Sequence, residues 1–227
     1  MKIKFIKPSF EIDMLGETGL QKLKRIEKVA RLCYKTEDRI TDDSYMKLVQ
    51  LLVDKKHGAM LEFADVAVKF IVNRAFTHEL VRHRLASFAQ ESQRYVGYED
   101  AIEFIIPSWC EINPFTIEDI NKYKHEPKDY ISNSKLGIDY GQAHWVEGCV
   151  NAAGSYCILL NEGWRPEQAR DVLPNATKTE IWIKTNLREW QHVFHLRDSM
   201  AAAPQMREQM EPLHIKMSEM VPIVFEV

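Results

Sequence analysis

The feature that most constrains the fold is a change in hydrophobic period along the chain. Every second residue from 64 to 72 is apolar, with Asp65 and Lys69 between them, which predicts a strand with one buried face. Residues 18 to 34 instead carry apolar side chains every three or four positions and predict an amphipathic helix. A chain that holds both periods must combine a sheet with packed helices.

The same two periods predict the remaining elements. MKIKFIK alternates apolar and charged residues, which predicts a strand that ends before Pro8. Helical spacing predicts helices over residues 42 to 57, 142 to 162, 175 to 198 and 204 to 220, and the closing VPIVFEV predicts a strand. Residues 107 to 141 are rich in Pro, Asn, Ser and Gly, and we expect surface connections there with one short helix.

These elements follow one another without regular alternation, and this order favours an α+β fold over a doubly wound one. We predict a mixed, largely antiparallel sheet flanked by helices. A length of 227 residues suits one core, so a single domain is predicted over residues 1–227.

Composition excludes several classes of protein. The net charge of -3 gives no general basic field for nucleic acid, so we expect no nucleic-acid partner. No apolar run approaches the roughly 20 residues that span a bilayer, and the start lacks the apolar stretch of a signal peptide. We therefore expect no membrane partner and a cytoplasmic location.

Cysteine spacing argues against a metal or redox site. Cys33, Cys110, Cys149 and Cys157 form no CxxC pair, so neither a zinc knuckle nor a redox dithiol is indicated. Free cysteines commonly pack as small apolar residues. We expect all four to be buried thiols.

The segment THELVRHRLASFAQESQRY, residues 77 to 95, superficially resembles the HExxH helix of zinc proteases. In that helix the two histidines are four residues apart and share a face, whereas His78 and His83 are five apart. On a helix this spacing separates them by about 140°. No third ligand is signalled either, so we predict no metal site.

The cations and hydroxyls of this segment indicate an anion site instead. Arginine forks match phosphate oxygens and serine hydroxyls add neutral donors, which favours a phosphorylated ligand. The alternative is a solvated charged helix face, although apolar residues interleave with the cations. Neither GxGxxG nor GxxxxGK[ST] is present, so side chains must bind the phosphate. The polar set is Arg82, His83, Arg84, Ser87, Ser92 and Arg94.

A second polar set lies downstream. Arg197 is in phase with Trp190 and Phe194, so it points towards the core and needs an anionic partner. Ion pairing at a subunit interface explains this stretch equally well. The neighbouring polar residues are Asn186, Arg188 and His192, and Arg170 precedes the apolar pair Val172 and Leu173.

Three segments, RHRLASFAQESQRY, ARDVLP and NLREWQHVFHLR, together resemble the flavin-dependent thymidylate synthases. The signature of that family is RHR, seven residues, Ser and, two positions on, Arg. It stands here as Arg82-His83-Arg84, Ser92 and Arg94. The three segments occur in the family's order and extend the match over more than half of the chain.

The resemblance implies a reaction and an assembly. Members are homotetramers of α+β subunits with sites at subunit interfaces, and they methylate dUMP to dTMP. The carbon comes from methylenetetrahydrofolate, and the hydride comes from tightly bound FAD that NADPH has reduced. The partners expected here are therefore dUMP, folate, NADPH and further copies of the chain.

The resemblance also implies a role for each matching residue. It gives Arg197 the catalytic role of stabilising the ionised uracil, which agrees with a fixed cation beside a ring that gains negative charge. The implied flavin contacts are Arg82, His83, Arg84, Gln90, Asn186, Arg188, His192 and Cys33. The implied nucleotide contacts are Glu79, Arg82, Gln90, Ser92, Gln93, Arg94, Arg170 and Arg197.

The chain departs from the family pattern at several positions. Phe63 stands where many members have His, Gln90 where they have Glu, and Glu79 where others have Gln. His192 falls where some members have Asn, and Cys33 takes the place of a small hydroxyl residue.

Ser92 could be a nucleophile or a hydrogen-bonding group. A nucleophilic serine needs a base, and no His stands at an obvious supporting position. We favour a hydrogen bond from Ser92 to the nucleotide.

Three other functions remain open. A single-stranded nucleic-acid module could use Phe88, Tyr95 and Tyr98 as stacking partners, although the net charge argues against it. A scaffold could use the arginines to hold subunits together. A different flavin or nucleotide enzyme could share the fold, because fold does not fix the reaction.

Overall fold

The computed structural model describes residues 1–98, 100–120 and 137–225. The strands are β1 (Lys2–Ile6), β2 (Ser9–Asp13), β3 (Asp65–Asn73), β4 (Ser87–Gln90), β5 (Ala101–Ile105), β6 (Phe115–Ile117) and β7 (Lys178–Asn186). The α-helices are α1 (Gly19–Leu32), α2 (Ser44–Asp54), α3 (Arg74–Leu80), α4 (Tyr140–Asn161), α5 (Pro166–Ala169), α6 (Leu187–Arg197) and α7 (Pro204–Met220). Short 3-10 helices are formed by Glu37–Arg39, Gly58–Phe63 and Arg170–Val172.

The strands form two sheets. In the three-stranded sheet β1 lies between β5, which is parallel to it, and β6, which is antiparallel. The four-stranded sheet has the order β2-β3-β7-β4. The predicted α+β fold, with a mixed, largely antiparallel sheet arrangement and flanking helices, is confirmed.

The chain divides into two units. Unit 1 comprises Met1–Ser9, Ile71–Leu80 and Gln90–Ile181, and unit 2 comprises Phe10–Phe70, Val81–Ala89 and Trp182–Val227. Strands β2, β3, β4 and β7 contribute residues to both units. One domain over residues 1–227 stays a prediction.

Unit 1 is built around β1 and α4. Ile3 and Phe5 of β1 are fully buried and share a core with Phe104 of β5 and with Val150 and Tyr156 of α4. The side chain of Asp139 accepts a hydrogen bond from the backbone of Gln142, so α4 begins at a capped N-terminus.

Unit 2 places α6 against β3. Thr18 and Gln21 form a capping box that starts α1, with Thr18 N donating to Gln21 Oε1 at 2.7 Å. Trp190 of α6 is fully buried, and its Nε1 donates to the Val66 carbonyl at 3.1 Å. This bond joins the start of β3 to α6, the helix that carries Arg197.

Most predicted elements are confirmed, but the helix over residues 175 to 198 was wrong in its first half. β7 occupies that half, because Thr179, Ile181, Ile183 and Thr185 are buried at every second position. The helix α6 begins only at Leu187, after Asn186 accepts a hydrogen bond from Glu189 N at 2.9 Å.

The predicted C-terminal strand is also wrong over residues 221–225, which form turns. Ile223 has a φ of 77°, which a strand does not allow. The Val224 carbonyl accepts a hydrogen bond from Gln191 Nε2 at 2.8 Å, so this segment is held against α6 by a side chain. Residues 121–136, within the stretch expected to form surface connections, lie outside the described residues, as do 226 and 227.

The cysteine prediction is half right. Cys110 and Cys149 are buried, whereas Cys157 is partly buried and Cys33 is exposed. Burial raises the pKa of Cys149 to about 12, so this thiol is inert at neutral pH. Within the residues that the structure describes, no helix is both long and apolar enough to cross a membrane.

Candidate active site

The signature segment leaves a helix before its cations begin. Helix α3 ends at Leu80, residues 81 to 86 form turns and bends, and β4 starts at Ser87. The helical geometry that we used to separate His78 from His83 is therefore wrong, because His83 lies beyond the helix. Arg82 and Arg84 are exposed on either side of a buried His83.

His83 joins the signature motif to α6. Its side chain is buried, with 4% of the residue exposed, and its Nε2 lies 3.0 Å from Arg197 Nε. An arginine Nε is always a donor, so this ring nitrogen accepts. Two predicted site residues that are 114 positions apart in sequence are therefore in direct contact in unit 2.

Two further side chains of α6 surround the His83 ring. Glu189, which is also buried, places Oε1 3.6 Å from His83 Nδ1, and the His192 ring centroid lies 5.8 Å from that of His83. The possible ligand atoms of His83, Glu189 and His192 lie within 4.8 Å of one another. A metal at these atoms would lie close to the positive charge of the Arg197 guanidinium, which opposes the binding of a cation.

The surroundings of His83 keep the ring neutral. Burial, followed by the nearby Arg197 and His192, lowers the pKa of His83 from 6.5 to about 4. Glu189 lies beside the ring, but burial and the neighbouring Arg197 and His192 determine the direction of the shift. His83 is therefore a hydrogen-bond acceptor towards Arg197 at neutral pH.

This pKa predicts a pH dependence of stability. The unfolded chain binds the His83 proton near pH 6.5 and the folded chain only near pH 4, so the free energy of unfolding falls as pH drops through this interval. The loss is at most about 3 kcal/mol. Urea unfolding at several pH values should show this slope in the native protein and a shallower one in His83→Gln. If the free energy of unfolding depends on pH equally in the native protein and in His83→Gln, the low pKa of His83 is contradicted. The control is His144→Gln, which alters an exposed histidine.

A cavity of about 450 Å³ opens in unit 2. Its lining includes Cys33 and Arg188, two predicted flavin contacts, together with Tyr34, His57 and Met60. Cavities of this size hold small-molecule ligands and cofactors. Cys33 is exposed because it faces this opening, which explains why the buried-thiol prediction fails there.

Arg188 is held at the cavity by two neighbours. Its Nη1 lies 2.6 Å from Glu62 Oε1, and a Cβ added at Gly58 would lie 2.9 Å from its Cδ and Nε. Glycine at position 58 therefore lets the arginine stem run against the backbone. Phe63, which departs from the family pattern, is half exposed at 52%.

Asn186 has a structural task beside its predicted flavin contact. Its Oδ1 caps α6, so the residue fixes the start of the helix that carries Arg188, His192 and Arg197. These four predicted site residues belong to one short stretch of unit 2.

Most predicted nucleotide contacts belong to unit 1. Arg94 Nε lies 3.0 Å from Glu167 Oε2, and Arg165 Nη2 lies 2.6 Å from the other oxygen of that carboxylate. The hydrogen bond from Arg94, together with the charges of Arg165 and Arg170, lowers the pKa of Glu167. Arg94 and Arg170, which are both predicted to bind the nucleotide, thus both interact electrostatically with Glu167.

The other unit 1 residues have defined surroundings. Gln90 Nε2 donates to Thr77 Oγ1 at 3.1 Å and to Thr179 Oγ1 at 3.2 Å. Ser92 Oγ accepts from Arg94 N at 3.3 Å. Gln93 is buried beside the Tyr98 hydroxyl, and Glu79 is partly buried on α3.

Sequence reasoning missed three acidic residues that contact predicted site residues: Glu62, Glu167 and Glu189. Glu189 carried a usable signal, because it lies eight residues before Arg197 and therefore on the same stripe of a helix. Glu62 and Glu167 meet their arginines across the fold, and spacing in the sequence does not predict such pairs.

The family model and the relatives that match this chain point to the same family. The family model described as thymidylate synthase complementing protein matches residues 15–223. The chain is 32% identical over 207 residues to the flavin-dependent thymidylate synthase of Corynebacterium efficiens, covering 88% of this chain and 77% of that protein. It is 31% identical over 192 residues to the one of Mycolicibacterium vanbaalenii, covering 80% and 70%.

A solved structure shares the fold. The UMP/dUMP methylase PolB from Streptomyces cacaoi, bound with 5-Br dUMP, superposes with a TM-score of 0.69 at 20% identity, covering 97% of this chain and 94% of that one. The match to the family model extends over nearly the whole chain. The chain therefore belongs to the flavin-dependent thymidylate synthase family and is an enzyme of the methyltransferase class.

Proposed function

We propose that this enzyme converts dUMP to dTMP, with FAD as its tightly bound cofactor and with methylenetetrahydrofolate and NADPH as co-substrates. The observation that carries the proposal is the 3.0 Å contact between His83 of the RHR motif and Arg197. Resemblance assigns these residues to the flavin and to the uracil, respectively. PolB, a UMP/dUMP methylase whose crystal structure contains 5-Br dUMP, adds support from a related fold.

Arg197 would stabilise negative charge on the pyrimidine. Methylation at C5 requires electron density in the ring, and a guanidinium beside the ring stabilises the anion that supplies it. A partly buried position strengthens this effect, because less solvent screens the charge. His83 holds the guanidinium through Nε, which limits its rotation.

Arginines would bind the nucleotide phosphate. Arg94 and Arg170 belong to unit 1, where Glu167 lies beside Arg94. Arg82 is exposed in unit 2, next to His83. Ser92, Gln93, Gln90 and Glu79 would supply neutral and acidic hydrogen-bonding groups to the rest of the nucleotide, with Ser92 as a hydrogen-bonding residue.

The residues of unit 2 fit a flavin. Cys33 and Arg188 line the 450 Å³ cavity. The resemblance adds Arg84, Asn186 and His192, which belong to the same unit, as further polar contacts to the flavin. A bound FAD would supply the hydride for the methyl group. The protein itself supplies binding, orientation and electrostatics.

The cavity yields a prediction for Gly58→Ala. The new Cβ would lie 2.9 Å from the Arg188 side chain and displace it from its position beside Glu62. We expect flavin affinity to fall about tenfold, the equivalent of losing about one hydrogen bond to a charged group. Fluorescence titration with FAD measures this change. The control is Gly148→Ala, because a Cβ added there would meet no described atom within 4 Å. Gly163 is unsuitable as a control, because its φ of 85° would strain an alanine.

We also infer a homotetramer with sites at subunit interfaces, on the strength of the family resemblance. Light scattering coupled to size-exclusion chromatography would measure four copies of the 26.5 kDa chain. A monomer that binds FAD fully would contradict this inference.

One of the three residues proposed to stack on bases in a nucleic-acid module is not available for that role. Tyr98 is buried, and burial, together with the nearby Glu91, raises the pKa of its hydroxyl to about 12. The Tyr98 ring packs against Tyr156, with 5.9 Å between the ring centroids, so Tyr98 is not available to stack on a base.

The proposed reaction can be tested by product analysis. Purified protein with FAD, dUMP, NADPH and methylenetetrahydrofolate should form dTMP, identified by mass spectrometry against a dTMP standard. Omitting each component in turn identifies the carbon and hydride donors. A protein that binds FAD but forms no dTMP with any of these donors would contradict the assignment of the reaction.

A further inference from the structure

Glu189 is a buried acidic side chain beside His83, the residue that contacts Arg197, and the proposed function gives Glu189 no role. The residue is 7% exposed and lies in the first turn of α6. Its backbone N–H bonds to Asn186, so the cap does not use its carboxylate. A buried carboxylate is costly unless charges or dipoles around it compensate. Those around Glu189 include His83, whose Nδ1 is 3.6 Å away.

The two contacts of His83 determine which ring nitrogen carries the proton. Arg197 Nε can only donate, so the Nε2 atom at 3.0 Å must be unprotonated. A neutral imidazole then carries its proton on Nδ1, and that N–H faces Glu189 Oε1. The carboxylate attracts this N–H dipole, and it would repel the lone pair that the other tautomer places there. Glu189 and Arg197 therefore favour the same tautomer from opposite sides of the ring.

The spacing along α6 explains how one helix contacts both ring nitrogens. Glu189, Val193 and Arg197 are successive members of a four-residue stripe, so their side chains project from the same face. Val193 between them is fully buried and carries no polar group. The His83 ring bridges the two ends of this stripe through its two nitrogens.

A guanidinium is planar, so fixing Nε fixes the plane in which its remaining nitrogens lie. With the wrong tautomer, His83 would present an N–H to the Arg197 N–H, and the contact would be lost. We propose that Glu189 is a positioning residue that selects the Nδ1–H tautomer of His83 and thereby sets the orientation of the Arg197 guanidinium. The consequence for catalysis rests on the proposed function, whereas the tautomer does not.

Long-range ¹H–¹⁵N NMR spectra of histidine side chains test the tautomer directly. Native protein at neutral pH should show His83 with Nδ1 protonated and Nε2 unprotonated, the signal being assigned by its loss in His83→Gln. In Glu189→Met, which keeps a similar volume without an acceptor, we expect Nε2–H to appear. Glu189→Gln keeps an oxygen acceptor and should retain part of the Nδ1–H population. Native His83 protonated on Nε2, or a tautomer unchanged in Glu189→Met, would overturn the proposal.

Turnover tests the effect on Arg197. Loss of a residue that orients a metal-binding histidine typically costs about 10- to 100-fold, and His83 is oriented in a similar way. We therefore expect kcat for dTMP formation to fall by a comparable factor in Glu189→Met and by less in Glu189→Gln. Flavin content should stay at the native level. The matched control is Glu211→Met, which removes an exposed glutamate from α7. An unchanged kcat in Glu189→Met with an altered tautomer would overturn the positioning role. If native protein makes no dTMP, the proposed function fails, and the NMR result still decides the tautomer.

Discussion

Replacing Arg197 with alanine lowers kcat for dTMP formation by about a hundredfold or more, while flavin content and unfolding free energy stay close to the native values. A fixed cation that stabilises charge appearing only in the transition state contributes about this much to a rate. Arg197 is partly buried and held by His83, so we expect the loss of rate to lie towards the upper end of what such a cation contributes. Single-turnover kinetics with prereduced enzyme measures it without interference from product release.

Two matched variants sharpen the result. Arg197→Lys keeps the charge but lacks the planar fork, and we expect it to recover only part of the rate. Arg39→Ala removes an exposed arginine and should leave kcat unchanged. If Arg197→Ala dissociates the assembly and releases the flavin, the scaffold function is favoured instead, because the arginine would then hold subunits together.

Gly19→Ala should destabilise the protein strongly. Gly19 is the first residue of α1, and a Cβ there would overlap the carbonyl oxygen of Met220, the last residue of α7. The opposing atom belongs to the backbone, so no side-chain rotation relieves the overlap. We expect the free energy of unfolding to fall by about 3 kcal/mol, as for other overpacked sites.

Urea unfolding followed by circular dichroism measures this change. Gly148→Ala is the control, because a Cβ added at this position of α4 meets no atom of the described residues within 4 Å. Alanine has the higher helix propensity, so the control should gain roughly 0.5–1 kcal/mol. A Gly19→Ala variant as stable as the native protein would show that the two helix ends separate easily.

Residues 178–186 show where hydrophobic period alone stops being sufficient. In β7 every second residue is buried, yet two of the four are threonines, whose hydroxyls conceal the alternation from a count of apolar residues. Leu187, Trp190 and Phe194 then follow with helical spacing. Because this pattern is the stronger one, the predicted helix wrongly included the residues that form β7. Asn186, a helix-capping residue type, marked the true boundary.

The sequence singled out the residues of the candidate site, but it did not predict the contacts among them. The RHR signature and Arg197 were identified from residues and resemblance. Their meeting at 3.0 Å depends on α6 packing against β3 through Trp190, which no local pattern encodes. Sequence spacing placed Arg197 towards the core but gave no sign of its contact with His83, whose ring is neutral because burial lowers its pKa.

The central claim is that a flavin and dUMP bind one site on this enzyme, and the visible spectrum under anaerobic conditions tests it most directly. Purified protein should show flavin absorbance, and NADPH should bleach it faster when dUMP is present than when it is absent. Such a result would join cofactor, hydride donor and nucleotide in a single site. A protein that stays colourless after incubation with excess FAD, or a bleaching rate that dUMP does not change, would contradict the claim.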